Sequence, residues 1–192
     1  MGEVGAFSRA CRRRMTGVTV AIVLAAFPAG ASAQPAGSTL ERGVEAAYLS
    51  KFPYYVTWPP SSFASPGSPL TICLIGRASL GPVLERIVSG RALDTHPVAI
   101  LKSPTPEDER SCHMAYIDGG DPDLAESSLR LLARLPVLTV GFAGPLKDHA
   151  TINFLIRDGR LRFDINTADA AARGLTISSK LLALSMPWPA EP

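Results

Sequence analysis

Cysteine is the residue type with the clearest potential chemistry in this chain. Cys11 lies in an N-terminal stretch that we expect to be removed, which leaves Cys73 and Cys112 as the thiols of the mature protein. Two thiols can form one disulfide, and an exported protein meets oxidising conditions that favour it. The alternative is a metal site at Cys112 and His113, but structural zinc needs about four Cys or His ligands at close spacings. The pattern favours a Cys73–Cys112 disulfide, no metal and no cofactor.

The N-terminal stretch has the three parts of a secretory signal peptide. Arg12–Arg14 are basic, Gly17–Phe27 are apolar, and Ala31–Ala33 form a small-residue cleavage site. The apolar part is about ten residues long, whereas a membrane-spanning helix needs about twenty. We therefore expect residues 1–33 to be cleaved and residues 34–192 to form one exported domain.

Two patterns could suggest phosphate binding or catalysis. Gly76–Gly81 resembles a phosphate loop, but Pro82 and Val83 stand where such a loop needs Lys and Ser or Thr. Arg77 could still hold an anion near a helix N-terminus. Ser178–Lys180 could suggest a Ser-Lys nucleophile, but hydroxyls at a helix start are usually caps. We therefore predict that the protein is not an enzyme and keep Arg77 as a ligand-binding candidate.

The last predicted hairpin carries polar residues that need an explanation. Asn166 has a sufficient role as a helix cap. Asn153 and Asp164 each follow an apolar residue, so they can point to the other face of the sheet, where they either satisfy buried backbone groups or line a small ligand pocket. His113 is predicted to be a partly buried, hydrogen-bonded histidine, with a pH-sensing role left open.

An aromatic segment follows the first predicted helix. Tyr54, Tyr55 and Trp58 lie between Pro53 and the Pro59–Pro60 pair. Such a cluster usually belongs to a core, although part of it can face a partner protein. We take these three aromatic residues as the candidate partner-binding set.

The charge balance excludes some partners. Without the leader's four Arg and one Glu, 15 Lys and Arg residues stand against 16 Asp and Glu residues. A nearly neutral chain gives no electrostatic case for binding nucleic acid or anionic lipid. No second apolar run approaches spanning length, so we expect no membrane insertion of the mature chain.

The elements that would position these residues alternate between strands and helices. Ser38–Glu41 has the form of a capping box before a helix at about 40–52, which Pro53 should end. Asp158–Gly159 is a type I′ hairpin signal. We predict strands at 70–75, 98–101, 113–117, 137–140, 151–157 and 160–166, a loop at 103–110, and helices at 80–88, from 121, after 166 and at 178–185.

This order predicts an α/β fold in one compact domain. Its mixed, mostly parallel sheet should have about five to six strands, with helices on both faces and a C-terminal antiparallel hairpin. No repeat or long linker divides the chain after the leader.

Several motifs, in order, resemble the YfiR/HmsC-like family of bacterial periplasmic regulators. They span nearly all of the mature chain: Ala47–Phe52 leading to Tyr55–Pro59, Ile72–Gly76, Cys112–His113, Val137–Gly141, Ile152–Phe154, Arg160–Asn166 and Gly174–Leu182. Two departures stand out. Pro53 replaces a helix former, so the first helix should stop early, and Phe142–Ala150 lacks the second cysteine pair of some members, so redox control through that pair cannot apply.

The resemblance implies a periplasmic protein that tends to form homodimers. It further implies that the protein binds the periplasmic domain of a membrane-anchored diguanylate cyclase and represses it, which lowers cyclic di-GMP and biofilm formation. The alternative is a periplasmic protein that binds or senses a small molecule.

Overall fold

A computed structural model describes residues 36–76, 80–102, 104–142 and 150–187, with side chains from residue 42 onward. The predicted signal peptide, Arg77 and most of the loop from 142 to 150 lie outside these ranges. The expectations that concern them remain predictions.

The described residues form one seven-stranded sheet and one two-stranded sheet. In chain order the strands are β1 Val56–Thr57, β2 Leu70–Ile75, β3 Ala92–Leu93, β4 His96–Lys102, β5 Met114–Ile117, β6 Leu138–Phe142, β7 Ile152–Arg157, β8 Arg160–Ile165 and β9 Thr176–Ile177. The large sheet has the order β3-β4-β2-β5-β6-β7-β8, and β1 pairs with β9. The five strands from β4 to β7 in this order run parallel, and β3 and β8 close the two edges antiparallel. The mixed, mostly parallel sheet is therefore confirmed.

The sheet is wider than the five to six strands expected. All six predicted strands are present, and β3 is the seventh. β3 has only two residues and turns into β4 through Asp94, whose φ is 51°. A two-residue strand has no hydrophobic period that a sequence could display, and the β1–β9 pair was missed for the same reason.

The described residues also form six helices, which connect or flank the strands. They are α1 Ala36–Lys51, α2 Gly81–Val88, α3 Pro106–Glu109, α4 Pro122–Leu132, α5 Thr167–Ala172 and α6 Ser179–Leu182. Pro53 ends α1 as predicted, and a 3-10 turn, Phe52–Tyr55, follows it. The predicted start of α1 was wrong, because the helix already begins at Ala36 and Ser38 lies inside it.

The later helices show how local capping sets their bounds. Asp121 and Asn166 cap α4 and α5, each accepting a backbone N–H bond three residues on, at 3.1 and 2.9 Å. Thr105 forms a capping box with Asp108, so the stretch predicted as a loop contains α3. Ser178 caps α6, which ends at Leu182, three residues earlier than predicted.

Two apolar clusters lie on opposite faces of the sheet. On the first face α1, the 3-10 turn and α2 contribute residues such as Leu49, Phe52 and Leu84 to a cluster that also contains Phe154 and Phe163 of the hairpin. The second cluster joins α4 to β2, β5 and the disulfide, and its members include Cys73, Ala115, Ala125, Leu129 and Leu132. Helices therefore cover both faces, as the alternation of elements predicted.

The disulfide joins Cys73 in β2 to Cys112, two residues before β5. Its Cα atoms are 5.9 Å apart, within the usual range for a disulfide. The bond therefore ties two neighbouring parallel strands, and both cysteines are buried.

The C-terminal hairpin has the predicted turn. Asp158 and Gly159 have φ values of 52° and 67°, which is the backbone that a type I′ turn requires at both central residues. Arg157 lies opposite Arg160, and five further residue pairs continue from there to Ile152 opposite Ile165.

Candidate functional site

The aromatic segment is held between the end of α1 and the C-terminal elements. Val56 pairs with Ile177, and the Ser178 N–H donates to the Tyr55 carbonyl at 2.8 Å. The hydroxyl of the same residue accepts from the Lys180 N–H, which is the capping role expected for Ser178. Residues more than 100 positions apart therefore form one surface here.

The three candidate partner-binding aromatics differ in exposure. Tyr54 is 42% exposed and its hydroxyl donates to the Ala92 carbonyl at 3.2 Å, whereas Tyr55 is half-buried. Trp58 is only 6% exposed, and its Nε1–H donates to the His113 carbonyl at 3.0 Å. Trp58 therefore lies in the core, and only Tyr54 and Tyr55 remain available to a partner.

Tyr54 and Tyr55 line an open groove together with two cations. The groove has walls of Lys51, Tyr54, Tyr55 and Arg91. Both cationic side chains are exposed, and neither forms a salt bridge with any residue that the structure describes. The groove can therefore accept an acidic group beside aromatic rings.

An apolar cavity of about 240 Å³ adjoins the groove. Its lining residues come from α1, the 3-10 turn, β8 and the C-terminal segment: Tyr48, Lys51, Phe52, Tyr55, Phe163, Leu181 and Leu184. Tyr48 packs edge-on against Phe163, with ring centroids 5.5 Å apart, and Leu184 is 67% exposed at the rim. We call the groove and this cavity together the aromatic cleft.

Tyr54 and Tyr55 of this cleft were predicted from the sequence, but Lys51, Arg91 and Leu184 were missed. Lys51 belongs to the last turn of α1, where a lysine is common because it complements the helix dipole. Arg91 lies 40 positions later, after α2. Only the packing of α2 on α1 brings these two cations to one groove, so no local pattern could have identified the pair.

Asn153 and Asp164, the other candidate ligand residues, are almost fully buried. Asn153 is 0% and Asp164 4% exposed, and the Asn153 Nδ2 donates to Asp164 Oδ1 at 3.1 Å. It also donates to the Ala150 carbonyl at 3.3 Å. Neither residue lines the aromatic cleft. The structure therefore gives them a contact across β7 and β8, and their ligand-binding role stays a prediction.

A second polar network near the hairpin was missed. Thr139 and Thr151 share a hydrogen bond at 3.1 Å between buried hydroxyls, and Thr151 also donates to Asp169. Arg173 pairs with Asp169 at 2.7 Å and donates to the Leu132 carbonyl at the end of α4. The network connects β6, the residue before β7, α5 and the end of α4. Its only local signal is the i, i+4 spacing of Asp169 and Arg173.

His113 is buried beneath the segment that follows the aromatic residues. Its Nδ1 accepts from the Thr71 N–H at 3.1 Å, and its Nε2 lies 3.0 Å from the Ser62 carbonyl, to which it donates in the neutral form. Phe63 stacks between His113 and His96, with centroids 4.4 and 3.8 Å away. Burial lowers the pKa of His113, and the nearby His96 lowers it further, against an opposing effect of the Ser62 carbonyl. The predicted buried, hydrogen-bonded histidine is confirmed.

Metal binding and membrane spanning each require a recognisable structural feature. No three His, Cys, Asp or Glu side chains within the described ranges lie close enough to hold a metal ion. No described helix is long and apolar enough to cross a membrane.

Similarity to known proteins bears on the family of the chain. A search of curated proteins found no match. A family model described as YfiR/HmsC-like matches residues 42–186, which cover all nine strands and the aromatic cleft. The match extends over more than half of the chain, and it agrees with the order of motifs noted in the sequence. The chain therefore belongs to the YfiR/HmsC-like family.

Proposed function

We propose that this protein is a periplasmic regulator that binds the periplasmic domain of an inner-membrane diguanylate cyclase and represses it. Repression lowers cyclic di-GMP and biofilm formation, and the protein itself catalyses no reaction. Membership of the YfiR/HmsC-like family carries this proposal. The N-terminal stretch, which has the parts of a signal peptide, supports export to the compartment where such a contact is possible.

The aromatic cleft supplies the contact surface in this proposal. Tyrosines are common at the energetic centre of protein interfaces, because they bury a large ring and keep a polar group at its tip. Tyr54 and Leu184 are among the few large hydrophobic side chains that the described residues expose. Lys51 and Arg91 beside them favour a partner segment that carries an acidic residue next to an apolar one.

The regulatory effect requires a difference in affinity and no chemistry. A repressor that prefers the inactive state of the cyclase by about 1 to 3 kcal/mol changes output by roughly 5- to 150-fold. That range lies within what a few interface residues contribute.

Deletion of the gene in its native host tests the function directly. Cyclic di-GMP should rise on deletion and return to its original level when the full chain is expressed again. A chain that starts at Gln34 should fail to restore it, because it stays on the wrong side of the membrane. Unchanged cyclic di-GMP on deletion, with the cyclase expressed, would contradict repression.

Variants of the cleft test the contact surface. Tyr54→Ala combined with Lys51→Glu should weaken binding to the cyclase's periplasmic domain by about 30-fold or more, as expected for a hot spot worth about 2 kcal/mol. Leu124→Ala is the matched control, because Leu124 is similarly exposed but belongs to α4 on the other face. Equal affinity of both variants would place the contact elsewhere.

A second candidate function is the binding of a small molecule. The cavity of about 240 Å³ favours it, although drug-sized ligands usually occupy about 300 to 1,000 Å³. A screen of periplasmic metabolites by thermal shift distinguishes the two functions. The variant Leu181→Trp should fill the cavity. A metabolite that stabilises the wild type but not this variant would support the small-molecule sensor.

We also propose a homodimer, as the family resemblance implies. Analytical ultracentrifugation of the purified protein tests it. A dimer should give twice the monomer mass at micromolar concentration, and a single monomeric species there would contradict the proposal.

A further inference from the structure

The end of the C-terminal hairpin carries its arginines on one face, beside Leu155. We call residues 155–162 the hairpin tip. Residues directly opposite each other in an antiparallel pair share one face, and the faces alternate along the strand. The register pairs Leu155 with Arg162 and Arg157 with Arg160 on one face, and Ile156 with Leu161 on the other. One face of the tip therefore holds three arginines.

The three arginines have no acidic partner in the described structure. Arg157, Arg160 and Arg162 are all exposed, and none forms a salt bridge with a described residue. Asp158 is the only acidic residue of the tip. Arg157 and Arg160 are directly opposite each other, an arrangement that destabilises a hairpin because like charges repel. The fold of the hairpin therefore does not explain these charges.

The other face of the tip exposes aliphatic side chains. Phe154 and Phe163 are buried under α1, but the next pair along the hairpin is Ile156, 54% exposed, and Leu161, which is half-buried. Leu161 still packs against the edge of the core, whereas Ile156 is exposed to solvent.

We propose that the hairpin tip binds the surface of a bilayer that contains anionic phospholipid. Arginine matches phosphate well, since its planar group can donate two parallel hydrogen bonds. Aliphatic side chains next to cationic ones are the pattern of a segment that lies at the boundary between headgroups and acyl chains. The contact is peripheral and leaves the chain outside the hydrocarbon core.

The charge of the hairpin tip differs from the net charge of the mature chain. The mature chain is nearly neutral, from which we expected no binding to anionic lipid. However, exposed charges interact over a Debye length of about 10 Å at ordinary ionic strength. A bilayer in contact with the tip therefore interacts mainly with charges within about that distance, and the tip itself carries three arginines and one aspartate.

The shape and charge of the tip favour a bilayer over other occupants. A second copy pairing edge to edge along β8 would bring the arginines of the two copies close together, and like charges repel. An acidic protein would need about 800 Å² of surface on each partner for a stable contact, which a projecting two-residue turn does not provide. A fluid bilayer adapts to a small convex surface.

Vesicle sedimentation with the purified full-length protein tests the proposal. Vesicles of equimolar phosphatidylglycerol and phosphatidylcholine should bind the protein at about 0.1 M salt, and pure phosphatidylcholine vesicles should bind it much more weakly. The triple variant R157Q/R160Q/R162Q should lose about 100-fold in affinity, since each arginine near an anionic surface contributes about 5-fold. Ile156→Ser should also weaken binding, and inorganic phosphate should not displace the protein.

A matched control variant distinguishes the effect of the tip arginines from the effect of the net charge of the protein. R86Q/R110Q/R134Q removes the same number of exposed arginines elsewhere and should bind the vesicles as the wild type does. Circular dichroism should show both triple variants folded, and R157Q alone serves if the tip triple is not. Equal binding to both vesicle types, or equal losses in the two triple variants, would overturn the proposal. The proposal would also be overturned if the wild type bound no vesicles while the tip triple variant lost binding to the cyclase. That result would indicate an acidic protein partner.

Discussion

Asn153 and Asp164 face each other across the C-terminal hairpin, and the Asn153 amide donates to the Asp164 carboxylate at 3.1 Å in a buried position. A buried polar group that loses its partner costs about 1 to 3 kcal/mol, whereas replacing both partners by apolar groups can be nearly neutral. The hydrogen bond therefore makes the two positions energetically dependent on each other.

We predict that Asp164→Leu lowers the free energy of unfolding by about 1 to 3 kcal/mol, because it removes a buried acceptor of the Asn153 amide. The double variant N153L/D164L should be more stable than the sum of the single effects implies. Urea denaturation of the four proteins in the cycle measures this. Additivity within about 0.5 kcal/mol would show that the two side chains are not coupled.

We predict that Arg173→Met destabilises the protein by about 3 kcal/mol, because it leaves Asp169 and the Leu132 carbonyl without their buried cation. Arg130→Met is the control. Arg130 pairs with Glu126 at the same i, i+4 spacing, but both side chains are about two-thirds exposed, so its loss should cost about 0.5 kcal/mol or less. Chemical denaturation compares the two, and similar losses would contradict a structural role for the buried network.

We predict that Gly159→Val lowers the melting temperature. Gly159 has a φ of 67°, where a β-branched residue costs about 1 kcal/mol or more. Gly43→Ala should have the opposite effect. Gly43 lies in α1, and a methyl group added there meets no atom within 4 Å, so alanine should gain about 0.5 to 1 kcal/mol. Calorimetry of both variants should show a lower melting temperature for Gly159→Val and a higher one for Gly43→Ala.

We predict that the free energy of unfolding depends on pH through the protonation of His113. Its pKa is lowered in the folded protein, mainly by burial, so the unfolded chain binds the additional proton more readily. The free energy of unfolding should therefore be constant with respect to this group above about pH 6.5. It should fall as the pH decreases below that value, by at most about 1.4 kcal/mol per pH unit.

The pH effect has a structural cause that a variant can isolate. Protonated Nδ1 can no longer accept from the Thr71 N–H, and the two donors then face each other. His113→Gln lacks the titrating ring, so its stability should change less between pH 7.5 and pH 5.5 than that of the wild type. Parallel pH profiles of the two proteins would assign the effect to another group.

We predict that the protein isolated from the periplasm contains no free thiol. The Cys73–Cys112 bond closes a loop with a sequence separation of 39, for which the chain-entropy model gives about 3 to 4 kcal/mol of stabilisation. C73A/C112A should unfold at correspondingly lower urea concentration. Mass spectrometry after alkylation without reductant measures the thiols, and labelling of both cysteines would contradict the prediction.

The sequence by itself determined the features that depend on a few neighbouring residues. Asp158–Gly159 specified the hairpin turn, because few residues adopt positive φ at both central positions. Asp121 and Asn166 specified two helix starts through their side-chain caps, and Pro53 ended α1 because it lacks a backbone N–H. The alternation of strands and helices was enough to predict the fold class.

Only the tertiary structure decided which side chains share a surface. Tyr54 and Trp58 are both aromatic and lie four positions apart, yet Tyr54 is exposed and Trp58 donates to the His113 carbonyl in the core. Lys51 and Arg91 meet at one groove because α2 packs beside α1. Burial and proximity depend on contacts between distant segments, and no window of sequence contains both partners of such a contact.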